Sequence, residues 1–249
     1  MSAPAERRVA IVGSGAFYVG PAIALLLAAR GHDLVIGDAP DSLITRLESL
    51  GAAVEPVPGV SNLAEPDSAP RLARAALERF GRIDSAVAFS GAIVTGRFIN
   101  SSLEDLRSVL HSCLEAPYHF LKAITAPMIE AGAGQILLIT SASGARPTPG
   151  APLYSAARAG ATMLARNVAG EVARDGVQVN AVGTNFMDFP EFIQASGAED
   201  PAVRAKLEAM VPLGRLGTME EFASFCMPFV DGSSRFTTGQ FVAYAGGWA

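Results

Sequence analysis

Three side chains in the second half of the chain have the types and spacing needed for proton transfer at an oxygen atom. Ser141 ends the apolar run "GQILLITS", and Tyr154 and Arg158 follow in "YSAAR", four residues apart. A spacing of four residues places two side chains on the same face of a helix. A tyrosine beside a cation can act as a general base or acid. We therefore expect Ser141, Tyr154 and Arg158 to converge as a catalytic group.

The tyrosine and arginine pair is weak support by itself, because pairs at this spacing also occur on many solvated helices. The serine at the end of a strand strengthens the functional interpretation. So does the loop rich in glycine and proline, "ASGARPTPGAP", which precedes the helix.

The elements that must position these residues alternate regularly between strand and helix. "RRVAIVG", "DLVIG", "IDSAVAFS", "GQILLITS" and "VQVNAVG" read as buried strands, and "PAIALLLAAR" is typical of a helix between the first two. Such alternation predicts an α/β fold, a Rossmann-like doubly wound parallel sheet flanked by helices, which binds ligands at the carboxyl ends of its strands. We expect residues 1–249 to form one domain.

Composition and charge favour a small-molecule partner. Half of the residues are apolar, 17% are charged and the net charge is −5, with no block of like charges. This argues against a nucleic acid or an anionic membrane as the main partner. The two cysteines stand alone and the three histidines have no ligand-like neighbours in sequence, so we expect no metal site. With a polar start and no membrane-length apolar run, the chain is expected to be cytoplasmic.

The turn after the first strand, "VGSGAFYVGPAIA", lacks the glycines that a dinucleotide needs. Aligned on Gly20, the Gly-x-x-x-Gly-x-Gly pattern of the short-chain dehydrogenases/reductases would require glycine at Ser14 and Tyr18. The ring of Tyr18 would fill the space through which the phosphates pass, so we expect no cofactor. Asp38 weighs against this, since it stands about where a ribose-binding acid would be, although it can equally be a turn residue.

Ser141, Tyr154 and Arg158, combined with an aromatic residue at Tyr18, resemble the halohydrin dehalogenases. That family is similar to the short-chain reductases over nearly the whole chain but lacks their cofactor. The reductases have lysine where Arg158 stands, and that lysine also binds the nicotinamide ribose, a task for which a planar guanidinium is poorly suited. The strand "IDSAVAFS" leads into Phe-Ser-Gly rather than the reductases' Asn-Ala-Gly, and "VGTNFMDFPEF" stands where the dehalogenases build their halide site.

The resemblance implies a carbon–halide lyase, which interconverts a vicinal halohydrin with an epoxide, halide and a proton. Arg158 would stabilise the tyrosinate of Tyr154, the general base, while Ser141 orients the substrate oxygen. In reverse, halide, azide, cyanide or nitrite would open the epoxide. The resemblance also implies a homotetramer built from helices at about residues 103–131 and 152–174.

The same resemblance assigns two further groups of residues. The halide would be bound by backbone and ring-edge groups of Tyr18, Thr184, Asn185, Phe186 and Met187. Phe89 and Phe189 would line the substrate pocket. Asp188 is expected to cap the following helix, because a carboxylate facing an anion site would repel the anion.

Two other functions stay open from the sequence. The first is an NAD(P)-dependent short-chain reductase with an atypical nucleotide loop, which Asp38 favours. The second is a non-catalytic binding or scaffold protein of the same fold, for which Tyr154 would have no chemical role.

Overall fold

A seven-stranded parallel sheet forms the centre of the protein, in a computed structural model that describes residues 7–249. The strands are β1 (Arg8–Val12), β2 (His32–Gly37), β3 (Val54–Val57), β4 (Ser85–Phe89), β5 (Gly134–Ser141), β6 (Val177–Thr184) and β9 (Phe241–Tyr244). Their order across the sheet is β3-β2-β1-β4-β5-β6-β9. The predicted Rossmann-like α/β fold is confirmed.

Helices cover both faces of the sheet. They are α1 (Gly20–Ala29), α2 (Asp41–Ser49), α3 (Ser68–Phe80), α4 (Leu103–Leu110), α5 (Ala116–Ala131), α6 (Pro152–Val172), α7 (Pro190–Ser196), α8 (Pro201–Ala209) and α9 (Met219–Cys226). One apolar core packs α3, α5 and α6 against the sheet, and the other packs α1, α2 and α9 against the opposite face. Because both faces are covered, the central strands are almost entirely apolar and buried.

Helix boundaries follow the local sequence signals. Pro21 stands in the first turn of α1, where its missing N–H costs nothing. The helices α3 and α5 end at Gly81 and Gly132, both with a left-handed backbone that glycine adopts without strain.

The helical stretch predicted at about residues 103–131 is interrupted. A π-helical turn, His111–Glu115, separates α4 from α5. Pro117 lies just beyond it and has no N–H to bond the preceding turn, so the chain accommodates the proline with one wider turn.

The segment after β6 forms one wall of the crevice at the carboxyl edge of the sheet. It contains the two-residue strands β7 (Met187–Asp188) and β8 (Gly217–Thr218), which pair in parallel, and the short helices α7 and α8 between them. The prediction that Asp188 caps α7 is wrong. The position before α7 is Phe189, and the Asp188 carboxylate accepts a 2.5 Å hydrogen bond from Arg204 of α8.

Within residues 7–249, no helix combines the length and the apolarity required to cross a membrane.

Candidate active site

The predicted catalytic residues meet at the carboxyl edge of the sheet. Ser141 ends β5 and lies beside Thr184, the last residue of β6. Tyr154 and Arg158 lie one turn apart on α6, whose N-terminal part follows the short helical turn after Ser141. Parallel strands end at the same edge of a sheet, so residues that are distant in sequence come together here.

A cavity of about 350 Å³ opens at this edge. The ten residues predicted for the site all line it: Tyr18, Phe89, Ser141, Tyr154, Arg158, Thr184, Asn185, Phe186, Met187 and Phe189. Its walls are largely aromatic and aliphatic, with a few polar groups, as in most small-molecule sites. Proximity places these residues in one site without assigning each of them a role.

Ser141 is buried and its hydroxyl already has partners in the protein. The hydroxyl donates to the carbonyl oxygen of Thr184 over 3.3 Å and accepts from the backbone N–H of Ser143 over 3.1 Å. The bond to Thr184 is long and therefore weak. A substrate oxygen can compete for this proton while the bond from Ser143 holds the side chain in place.

Arg158 is a buried cation against the tyrosine. Its side chain is 5% exposed and its Cζ atom lies 5.0 Å from the centre of the Tyr154 ring. Its Nη2 donates to the backbone carbonyl of Ser90 over 2.5 Å, whereas Nε and Nη1 have no hydrogen-bond partner in the described chain. A buried, incompletely paired guanidinium creates a positive potential that favours a negative charge nearby.

Gly91 makes room for this guanidinium. Its φ of +129° is one that other residues avoid. A Cβ at this position would overlap the Nη2 atom of Arg158. Phe-Ser-Gly at the end of β4 differs from the reductases' Asn-Ala-Gly in its first two residues but retains the glycine, which Arg158 requires.

Tyr18 bridges the turn after β1 and the end of β6. Its hydroxyl lies 2.7 Å from Thr184 Oγ1, and its ring packs edge-on against Phe189 and Phe89 at centroid distances of 4.8 Å and 5.9 Å. Burial raises the pKa of the Tyr18 phenol above its ordinary value, so it stays protonated. Its φ is +53°, a left-handed value that a glycine would adopt more easily.

The Tyr18 ring narrows the turn at which this fold class binds a dinucleotide. In such folds the pyrophosphate lies at the N-terminus of the first helix, which the backbone approaches closely. Here the Tyr18 hydroxyl reaches from that turn to Thr184 Oγ1, and Tyr18 directly precedes Val19, the N-cap of α1. Both carboxylate oxygens of Asp38 accept bonds from the N–H groups of Gly59 and Val60, so Asp38 holds a turn together.

Several lining residues were missed by reasoning from the sequence. Phe17 and Phe192 extend the aromatic wall, Thr148 and Ser143 add hydroxyls, and Glu191 brings a carboxylate to the cavity. No local pattern marks them, since they lie on separate segments that only the fold brings together.

Trp248 lies behind this wall. Its ring centroid is 5.7 Å from that of Phe186, and the guanidinium of Arg146 lies 4.4 Å from its ring centre. The end of the chain therefore supports the cavity without lining it.

The described residues hold no group of three histidine, cysteine, aspartate or glutamate side chains that could bind a metal ion.

Fold and site together define a doubly wound α/β protein with a serine, a tyrosine and a cation at the carboxyl edge of its sheet. The family profile described as "Enoyl-(Acyl carrier protein) reductase" matches residues 17–249. The chain belongs to the short-chain dehydrogenase/reductase family.

Curated relatives cover nearly the whole chain. The 3-oxoacyl-(acyl-carrier-protein) reductase FabG of Thermotoga maritima is 28% identical over 97% of this chain and 98% of its own. The 3-oxoacyl-(acyl-carrier-protein) reductase of Synechocystis is 31% identical over 96% of both chains. BbsC of Thauera aromatica, named as a subunit of a dehydrogenase for a (hydroxy(phenyl)methyl)succinyl-CoA, is 33% identical over 99% of this chain and 96% of its own.

These names correct the function predicted from the sequence. The relatives are reductases and dehydrogenases, so the prediction of a halohydrin dehalogenase, a carbon–halide lyase, is wrong. The alternative, a short-chain reductase, agrees better with them. One set of predicted roles depended on the dehalogenase resemblance and loses its support with it. These are the halide-binding roles of Tyr18, Thr184, Asn185, Phe186 and Met187.

Proposed function

We propose that this protein is a short-chain oxidoreductase that interconverts a hydroxyl and a carbonyl group on a small, largely apolar substrate. The observation that carries the proposal is the convergence of Ser141, Tyr154 and Arg158 on one cavity with aromatic walls. The named activities of the relatives support the reaction class. The cavity volume of about 350 Å³ suits a small molecule or one arm of a larger one.

The proton moves through Tyr154. In the reducing direction its phenol protonates the substrate oxygen, and the resulting tyrosinate is stabilised by the Arg158 guanidinium at 5.0 Å from the ring centre. In the oxidising direction the tyrosinate removes the hydroxyl proton. Ser141 turns its proton from the Thr184 carbonyl to the substrate oxygen and fixes that oxygen in position.

The substrate body lies against the aromatic wall. Phe89, Phe186 and Phe189 offer an apolar surface that excludes water from the proton-transfer site. Glu191 adds a carboxylate to the lining, so a substrate with its own negative charge on that side is disfavoured.

The source of the hydride is constrained by the turn after β1. Nicotinamide dinucleotides supply hydride in this fold class, yet Tyr18 lies where the dinucleotide would run. A hydroxyl becomes a carbonyl only when a hydride leaves together with the proton, so a nicotinamide dinucleotide would have to accept or supply that hydride, and the Tyr18 ring would have to move aside to admit it. The chain's own residues handle only the proton and the substrate oxygen.

Activity measurements on the full chain test the proton-transfer role. A panel of small ketones and the matching alcohols is offered with NADH, NADPH, NAD or NADP to the native protein and to Tyr154→Phe and Arg158→Lys. We expect Tyr154→Phe to lower kcat by about 10²–10⁴-fold, the usual contribution of general acid–base catalysis. Arg158→Lys should cause a smaller loss, because a cation is retained with a different shape.

Tyr118→Phe is the matched control, because Tyr118 is exposed on α5. It should leave turnover unchanged. If the native protein turns over a substrate and Tyr154→Phe turns it over equally well, Tyr154 is not the proton carrier. If no substrate of the panel reacts with any of the four dinucleotides, the proposed oxidoreductase activity on small ketones and alcohols is wrong.

A further inference from the structure

A second cavity, of about 850 Å³, opens at the opposite edge of the sheet from the candidate active site. It is lined by the segments that lead into β1, β4, β5 and β6 and by the loop before β9. The catalytic residues Ser141 and Tyr154 lie at or beyond the carboxyl ends of the strands, whereas Arg8 and Gln135 here lie at their beginnings. The two cavities therefore share no lining residue.

The charged side chains of this cavity are mostly basic. Three of its lining residues are arginines, Arg8, Arg82 and Arg235, and one is an acid, Asp84. Arg82 forms an ion pair with Asp84 at 2.7 Å. The other Asp84 oxygen accepts a 2.8 Å hydrogen bond from the backbone N–H of Val9. The single acid of the lining is thus already engaged.

Arg8 is held at the inner part of this cavity with unused donors. Its Nη2 makes only long contacts, 3.4 Å to the Gln135 side chain and 3.5 Å to the Asp84 carbonyl. Its buried Nε has no partner among the residues described. Burial lowers the pKa of Arg8, and so does the nearby charge of Arg235, while Asp84 raises it. Buried donors normally have partners in native proteins, so an unsatisfied guanidinium points to a missing acceptor.

Arg235 completes the arrangement from the loop before β9. It is exposed and forms no ion pair or hydrogen bond with another residue in the part of the chain that the structure covers. Its charge is near enough to that of Arg8 to affect it. The two acids near Arg8, Asp84 and Asp231, form ion pairs with other arginines, Arg82 and Arg30. Arg8 and Arg235 form no ion pair among the residues described, so both guanidinium groups can face an added anion.

We propose that this cavity binds a small multivalent oxyanion, a phosphate or polycarboxylate group, between Arg8 and Arg235. The guanidinium group has the planar donor geometry that matches phosphate and carboxylate oxygens. The amides of Gln135 and Gln178 line the same cavity and add polar surface. This anion site is independent of the function proposed for the other edge of the sheet.

Thermal unfolding and calorimetric titration of the full chain test this site. Inorganic pyrophosphate is added at constant ionic strength, with sodium chloride as the ionic control and citrate as the carboxylate probe. A ligand at free concentration L that binds only the folded protein stabilises it by RT ln(1 + L/Kd), so its melting temperature keeps rising with the logarithm of the ligand concentration above Kd. In the native protein we expect pyrophosphate to raise the melting temperature and to give a saturable heat of binding in calorimetry. Arg235→Gln should weaken the Kd at least roughly tenfold, as for the loss of one charge-assisted contact.

The control variants separate this site from general charge effects and from the catalytic cavity. Arg46→Gln removes an exposed charge on α2 and should bind pyrophosphate as the native protein does, as should Tyr154→Phe. Citrate that competes with pyrophosphate would extend the site to carboxylates.

The proposal is overturned if pyrophosphate and citrate give no saturable response, or if Arg235→Gln and Arg46→Gln weaken binding equally. It is also overturned if Tyr154→Phe alone abolishes binding. Because Arg235 is exposed, its variant should fold normally, and circular dichroism checks this.

Discussion

Tyr18 is the residue that most distinguishes the turn after β1 from the glycine-rich dinucleotide-binding turn of its fold class. Its identity could be read from the sequence, since a large ring replaces a glycine in the phosphate turn. Its hydrogen bond to Thr184 could not be predicted, because the two residues are 166 positions apart. They meet only because β1 and β6 end at the same carboxyl edge of the sheet. The same limit explains the wrong prediction for Asp188, which lies in β7 and pairs with Arg204 of α8.

Tyr18→Gly is expected to open the turn to NADH or NADPH. The change removes the ring and suits the φ of +53°, but it leaves a cavity among Phe89, Phe189 and Phe222. We expect the free energy of unfolding to fall by about 3 kcal/mol, as for other deletions of buried aromatic rings. Saturating dinucleotide should then raise the melting temperature of the variant more than that of the native protein.

Tyr18→Phe is the matched control for this change, since it keeps the ring and removes only the hydroxyl. It should bind no more dinucleotide than the native protein. If the native protein already binds dinucleotide tightly and Tyr18→Gly does not improve the binding, the ring is not an obstacle.

At the scale of elements, the sequence predicted strands and most helices well because apolar runs and terminal residues are local signals. It predicted one continuous helix at about 103–131 because periodicity alone does not show how Pro117 is accommodated. The segment after β6 is too irregular in sequence to predict its short elements. There, the strands β7 and β8 have only two residues each and exist because they pair with each other.

The start of α9 provides a prediction about acid stability. Thr218 and Glu221 form a capping box, and Arg215 donates two hydrogen bonds to the Glu221 carboxylate. These bonds, those from Arg215 first, lower the pKa of Glu221 from 4.5 to about 2. A carboxyl whose pKa is depressed on folding stabilises the protein above its ordinary pKa, and this stabilisation is lost as the pH falls from about 4.5 towards 2.

Glu221→Gln should therefore reduce the loss of stability between about pH 6 and about pH 3, measured by urea unfolding at both values. The effect should be small because the pair is exposed and screened by solvent. Glu220→Gln changes the neighbouring exposed carboxylate, which accepts no side-chain hydrogen bond from the residues described, and serves as the control. An equal pH response in the native protein and Glu221→Gln would contradict this account.

On the scale of the whole molecule, the alternation of strands and helices was enough to predict the sheet and its covered faces. The chemistry was not predictable in the same way, because a tyrosine, a serine and a cation suit more than one reaction at an oxygen atom. The arginine at position 158 resembles the halohydrin dehalogenases, whereas the named relatives are reductases and dehydrogenases.

The exposed apolar side chains of α4, α5 and α6 predict self-association, and we propose a homotetramer. Leu103, Tyr118, Ile129 and Met163 are between 38% and 60% exposed, and α6 packs beside both other helices. Large apolar side chains left exposed on neighbouring helices are typical of an interaction surface.

Light scattering should give the mass of a tetramer for the native protein and a smaller mass for Met163→Glu, because a carboxylate would be buried without a partner in the interface. Leu77→Glu, a similarly exposed position on α3, should not change the mass. An unchanged mass for Met163→Glu would contradict the proposed interface.

Trp248 is the sole tryptophan of the sequence, and it lies against the wall of the candidate active site. Its indole is 8% exposed, contacts Phe186 and lies beneath the guanidinium of Arg146. Because Phe186 lines the cavity, a molecule that enters and shifts this ring changes the surroundings of the indole. Tryptophan fluorescence therefore reports on the Phe186 side of the cavity. Ligands can be screened by this emission without a label or a known reaction.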